Sequence, residues 1–128
     1  MNKEFIPYKE ALALKELGFD EECFAFYEAN ATGSVYMLYT KDLEEHLEEA
    51  DYECYAPLYQ QAFRWFREKY GLFGWIEGNE GKRIYMYRIE SPIDSDDQLN
   101  CFPFKTYEEA ELACLRKLIE IVNQNKDE

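Results

Sequence analysis

His46 is the only histidine in the chain. With Asp42 and Glu49 it has the spacing that would put three potential metal ligands on one face of a helix. No second histidine or cysteine cluster completes a coordination shell, and carboxylates alone select weakly among metals. The stretch Asp42 to Ala50, DLEEHLEEA, reads instead as a short acidic surface helix, and neither a metal nor a cofactor is expected. Nucleophilic catalysis also lacks its parts. Ser34, Ser91 and Ser95 fall in turn or strand-end contexts, no G-x-S-x-G occurs, and His46 would be the sole imidazole base. Gly74, Gly78 and Gly81 lack the G-x-x-x-x-G-K spacing of a phosphate loop, and hairpin geometry accounts for them. Carboxylates are so abundant that a pair of them carries no signal of acid–base chemistry. The residues point away from an enzyme.

They point instead to surfaces. The chain carries 27 acids against 14 bases, a net charge of −13. The imbalance is uneven, with 14 acids and 4 bases in residues 1–56 and 13 acids and 10 bases in 57–128. Nucleic-acid affinity rests on cations that neutralise phosphates, so repulsion excludes direct binding of DNA or RNA. Asp42, Glu44, Glu45, Glu48, Glu49 and Asp51 concentrate the excess. Like charges three and four apart weaken a helix, so its existence requires tethering by Leu43 and Leu47 or a use for the charge. A protein partner with a basic surface is the leading expectation. A small-ligand site, for instance for a signalling nucleotide, is the alternative. It would lie between a sheet and the helix 57–70, lined by Tyr59, Phe63 and Trp65 and anchored by Arg64 or Arg67. Self-association in a structural role is a third. The cations Arg64, Arg67, Lys69, Lys82, Arg83 and Arg88 read first as charge balance against nearby acids.

The framework for these residues is a single α+β domain of 128 residues, with 124–128 loose. Hydrophobic content of 47%, with 17% aromatic, supports a core large enough to offset the entropy of folding. No apolar run approaches the roughly 20 residues that span a bilayer, and MNKEFIPY has no signal-peptide core, so a cytoplasmic protein is expected. Cys23, Cys54, Cys101 and Cys114 form no CxxC pair and read as small buried hydrophobes.

Three main helices are expected besides the acidic one. The first runs from about Pro7 to Leu17 with Ala11, Leu14 and Leu17 inward and a stop at Gly18-Phe19. The second, APLYQQAFRWFREKYGL, has Pro57 in its first turn, a stop at Gly71-Leu72, and Tyr59, Ala62, Phe63, Phe66 and Tyr70 on one face. Thr106 and Glu109 form a capping box that opens the third, whose inner face is Tyr107, Ala110, Cys114, Leu118, Ile121 and Val122. A hairpin follows each of the first two: Cys23 to Glu28 with Val35 to Tyr39, where Phe24 and Phe26 alternate, and Leu72 to Glu77 with Lys82 to Glu90. Ser91 to Phe104 has no period and reads as a connection. Each helix begins with Tyr-x-x-Ala. The order αββ-αββ-α, with the acidic helix between its halves, suggests one four-stranded antiparallel sheet packed with three main helices. If helices cover only one sheet face, Tyr36, Tyr85 and Tyr87 lie on the other.

The stretches EFIPYKEALALKELGFDEECFAFY, APLYQQAFRWFREKYGL and KTYEEAELACLRKLIEIV, about half of the chain, resemble a group of small proteins from gut Bacteroides-type bacteria and their phages. QQAFRWFREKYGL is the most specific of these, while 29–55 and 78–104 fall outside the likeness. The resemblance carries over no activity, cofactor or catalytic residue. It implies an accessory protein of a phage or mobile element.

Overall fold

A computed structural model describes residues 3–39, 52–79, 81–91, 98–99 and 103–126. The expected acidic helix, with His46 and all six acidic candidates, lies outside these residues, as do Ser95 and Cys101. The chain divides into two compact units, Met1–Leu58 and Tyr59–Glu128.

In the first unit, helix α1 (Tyr8–Glu16) starts after Pro7, whose φ of −60° and ψ of 155° make it the last extended residue, so the helix begins one position later than the sequence suggests. The helix ends at Gly18, where φ is +103°. Gly18 N–H donates to the Lys15 carbonyl and Phe19 N–H to that of Leu14, each at 3.0 Å, a paired closure that needs a residue tolerant of the left-handed region. Strands β1 (Ala25–Ala29) and β2 (Val35–Tyr39) form the expected hairpin. The carboxamide oxygen of Asn30 organises its loop by accepting from Thr32 N–H, the Thr32 hydroxyl and Ser34 N–H. Strand β3 (Tyr52–Ala56) pairs antiparallel with the other edge of β1, giving the order β2-β1-β3. Ala11, Ala25, Tyr27, Cys54 and Ala56 make a core of mostly small side chains that lets α1 approach the sheet closely. The unit is closed by Ile6 N–H donating to the Pro57 carbonyl, a Phe5–Leu58 bridge, and the Tyr27 hydroxyl donating to the Ile6 carbonyl.

In the second unit, helix α2 (Tyr59–Tyr70) stops at Gly71, with φ of +69°, whose N–H bonds the Arg67 carbonyl. Strands β4 (Phe73–Asn79) and β5 (Ile84–Glu90) pair antiparallel in continuous register from Phe73↔Glu90 to Asn79↔Ile84. The short β6 (Gln98–Leu99) joins the far edge of β5 at Arg88 and Ile89, and Phe104 adds a bridge to Tyr85. Helix α3 (Tyr107–Lys126) is capped by Thr106, whose hydroxyl accepts from Glu109 N–H at 3.1 Å. Ala110, Cys114, Leu115, Leu118, Ile119 and Val122 are its buried stripe. Tyr107, expected on that stripe, is exposed because it stands in the first turn.

The α+β class holds, but the single four-stranded sheet does not: the described residues form two three-stranded sheets. Each hairpin takes its third strand from its own neighbourhood, β3 on β1 and β6 on β5. β3 escapes the sequence because YECYA is short and abuts the acidic segment. β6 escapes because two residues carry no period. Phe24 and Phe26 do not share a strand face either, since β1 starts at Ala25, leaving Phe24 68% exposed and Phe26 fully buried.

Candidate interaction surfaces

Helix α2 separates the four residues proposed for a small ligand. Tyr59 and Trp65 are buried with Ala62, Phe63 and Phe66, whereas Arg64 and Arg67 lie on the exposed side with Gln60 and Glu68. The period of 3.6 produces this division, because residues one and two apart face different ways. Trp65 meets Phe66 edge-on at 5.1 Å between centroids and Tyr70 at 5.5 Å. Lys69 Nζ sits 5.0 Å from the Trp65 ring and 5.7 Å from that of Tyr70, so its charge is held over aromatic faces. The aromatic residues of this helix build a core, and the structure does not bring them together with the arginines in one concave site.

On the β4–β5 hairpin the alternation separates two faces. Gly74, Ile76, Gly78, Tyr85, Tyr87 and Ile89 share the face turned to α3. Tyr85 meets Tyr107 edge-on at 6.3 Å, and Tyr87 stacks on Phe104 at 6.5 Å. Tyr85 and Tyr87 are thus on the helix-covered side. The opposite face presents Phe73, Trp75, Glu77, Ile84, Met86 and Arg88. One Glu77 carboxylate oxygen lies 3.2 Å from Arg88 Nε and accepts from Trp75 Nε1 at 3.3 Å. Arg88 therefore lies beside an acid, as expected of charge balance, whereas Lys69 lies over aromatic rings instead.

In the first unit, β2 and β3 are the two edge strands among the described residues, and Val35, Tyr36 and Tyr39 of β2 are 37%, 40% and 45% exposed. β2 occupies the residues expected from the sequence, Val35 to Tyr39. The legible signal was VYMLY itself, five apolar or aromatic residues without a charge.

Burial pushes the Cys54 thiol up to about 11 and that of Cys114 up to about 12, so neither supplies a thiolate at neutral pH. Cys23, Cys54 and Cys114 are all buried. Among the described residues no group of three or more His, Cys, Asp or Glu is placed to hold a metal ion. No helix among them is long and apolar enough to cross a membrane. No family model, curated protein or solved structure matches the chain.

Proposed function

We propose that this chain is a non-enzymatic protein-binding accessory protein of a phage or mobile element, acting in the cytoplasm. Its acid-rich N-terminal half engages a basic surface on a partner. The observation that carries this reading is the charge distribution, 14 acids against 4 bases in residues 1–56 within a chain of net charge −13. Opposed charge of that size steers encounter and sets orientation more than it adds affinity. A nucleic-acid-handling host protein offers such a basic surface, and an acidic protein occupying it would compete with the phosphate backbone. Asp42, Glu44, Glu45, Glu48, Glu49 and Asp51 are the densest acidic segment and the proposed contact.

The test is affinity capture on immobilised protein across a salt series, with a parallel column bearing Glu44, Glu45, Glu48 and Glu49 all changed to Gln. Basic partners that elute with salt and are lost from the substituted column support the reading. Recovery of only neutral or acidic partners, indifferent to salt, sinks it. The small-ligand alternative has less support because Tyr59 and Trp65 are core residues while Arg64 and Arg67 point outward. A rise in melting temperature with one member of a nucleotide panel would reverse that order.

A further inference from the structure

We propose that the outer edge of β2 is a docking strand that accepts an added β-strand from the partner, an extended uncharged segment flanked by lysine or arginine. This deepens the acidic-half reading above and rests on it for the basic flanks.

The backbone phase comes from one hydrogen bond. Asn30 N–H donates to the Ser34 carbonyl at 2.8 Å, which makes Asn30 and Ser34 a hydrogen-bonded pair. Antiparallel pairs alternate, so in the register Glu28↔Tyr36 and Phe26↔Leu38 it is Tyr36 and Leu38 that bond β1. The N–H and C=O groups of Val35, Met37 and Tyr39 face away from it. Among the described residues β2 pairs with β1 alone.

Edge strands are ordinarily guarded by charges, prolines, bulges or covering side chains. The other long edges here are guarded. β3 is bulged opposite Tyr27/Glu28, and Lys15 Nζ donates to its Glu53 carbonyl at 2.6 Å. β4 carries Glu77, engaged with Arg88, and two glycines that weaken it as a template. β2 has no charge, proline, glycine or register shift. Of the seven exposed large hydrophobic residues among the described ones, three are on this strand. Val35 and Tyr39 lie on one face and Tyr36 on the other, so an added strand would be gripped from both sides.

Charge decides the occupant. A second copy would bring −13 against −13, which disfavours self-pairing. Residues 1–56, which contain β2, hold 14 acids against 4 bases. A strand with basic flanks complements them.

The experiment uses the full chain and two synthetic peptides, Lys-Lys-Thr-Val-Thr-Val-Thr-Val-Lys-Lys and the same core flanked by glutamates. Binding is read by fluorescence anisotropy and amide hydrogen exchange. The basic peptide should bind, slow exchange at Val35, Met37 and Tyr39, and lose affinity by about tenfold as salt passes roughly 0.1 M. The acidic peptide should not bind. Val35→Pro, which removes an outward donor and no bond to β1, should abolish binding. Val35→Lys, which keeps every backbone donor, should weaken it by about tenfold and serves if the proline variant fails to fold. Salt-sensitive binding that survives both substitutions and leaves β2 exchange unchanged overturns the edge while sparing the acidic reading. Equal, salt-insensitive binding of both peptides at β2 overturns the acidic reading and the basic flanks with it. No binding by either peptide overturns the proposal.

Discussion

The ring of Tyr85 covers Gly78, its direct partner across the β4–β5 ladder, so closely that a methyl group on Gly78 would stand 2.6 Å from Cδ1 and 2.9 Å from Cε1. A glycine otherwise weakens a strand, and an aromatic ring laid over it restores the lost contact. Gly78→Ala should cost about 1–3 kcal/mol by urea denaturation, because the ring must leave its position against Tyr107. Adding Tyr85→Ala should cost less than the sum of the two single changes. Strict additivity would show that the ring does not depend on the gap.

Gly74 meets α3 in a comparable way. A Cβ there would lie 3.0 Å from Cys114 Sγ and 3.2 Å from Leu118 Cδ1. Gly74→Ala should destabilise by about 1–3 kcal/mol through overpacking, and Cys114→Ala in the same chain should recover part of that loss. Chemical denaturation of the double variant checks it.

Core and surface on α2 should separate cleanly. Phe63 and Phe66 are both buried, so truncating either to alanine should cost about 3–5 kcal/mol, a large share of the stability of a small protein. Arg64→Ala and Arg67→Ala should each stay within roughly 0.5 kcal/mol of the parent. Glutamine at 44, 45, 48 and 49 should leave stability unchanged or slightly raised while removing partner binding. If that variant unfolds while Phe63→Ala stays native, the assignment of core and surface is wrong.

High pH should unfold the protein through groups buried in their neutral forms. Cys54 moves from 9 to about 11, Cys114 from 9 to about 12, and Tyr27 from 10 to about 12, each driven first by burial. The unfolded chain therefore releases protons that the folded chain retains. Stability from these groups is complete below about pH 9 and falls as pH rises toward 12. Cys114 alone accounts for up to roughly 4 kcal/mol of that loss. Denaturation midpoints measured across the window should fall less steeply for Cys114→Ala.

Arg83, in the β4–β5 turn, has φ of +52°, a left-handed conformation that a Cβ disfavours. Arg83→Gly should therefore stabilise by about 0.5–1 kcal/mol, read as a higher urea midpoint with an unchanged slope.

The helices were legible because their termini are written in side chains: Gly18 and Gly71 at the stops, Thr106 with Glu109 at a start, and alternating burial along α2. The hairpins were legible from their two-residue period and from Asn30 and Gly33. What the sequence hid was nonlocal. Nothing in YECYA specifies that Cys54 pairs with Tyr27, and nothing in Gln98–Leu99 specifies β5 as a partner. Hence two sheets were read as one. The ligand candidates failed to converge for a local reason, since Trp65 and Arg64 are adjacent in sequence and therefore diverge on a helix. Of the site now proposed on β2, the uncharged run was visible, but the phase of its outward donors needed the Asn30–Ser34 bond.

The clasp of Ile6 on Pro57 ties the first unit to the order in which the chain is made. Phe5 and Ile6 leave the ribosome early, yet the residues they bond arrive only with Pro57 and Leu58. Helix α1 and the β1–β2 hairpin have local partners and can form at once, while β3 must pair with β1 across a longer separation in sequence. The Tyr27 hydroxyl, nearer in sequence than Pro57, can reach the Ile6 carbonyl first and so gives this segment an anchor. On a translating ribosome the unit would thus be finished at the seam between its own two ends, and only after Pro57 and Leu58 have cleared the exit tunnel.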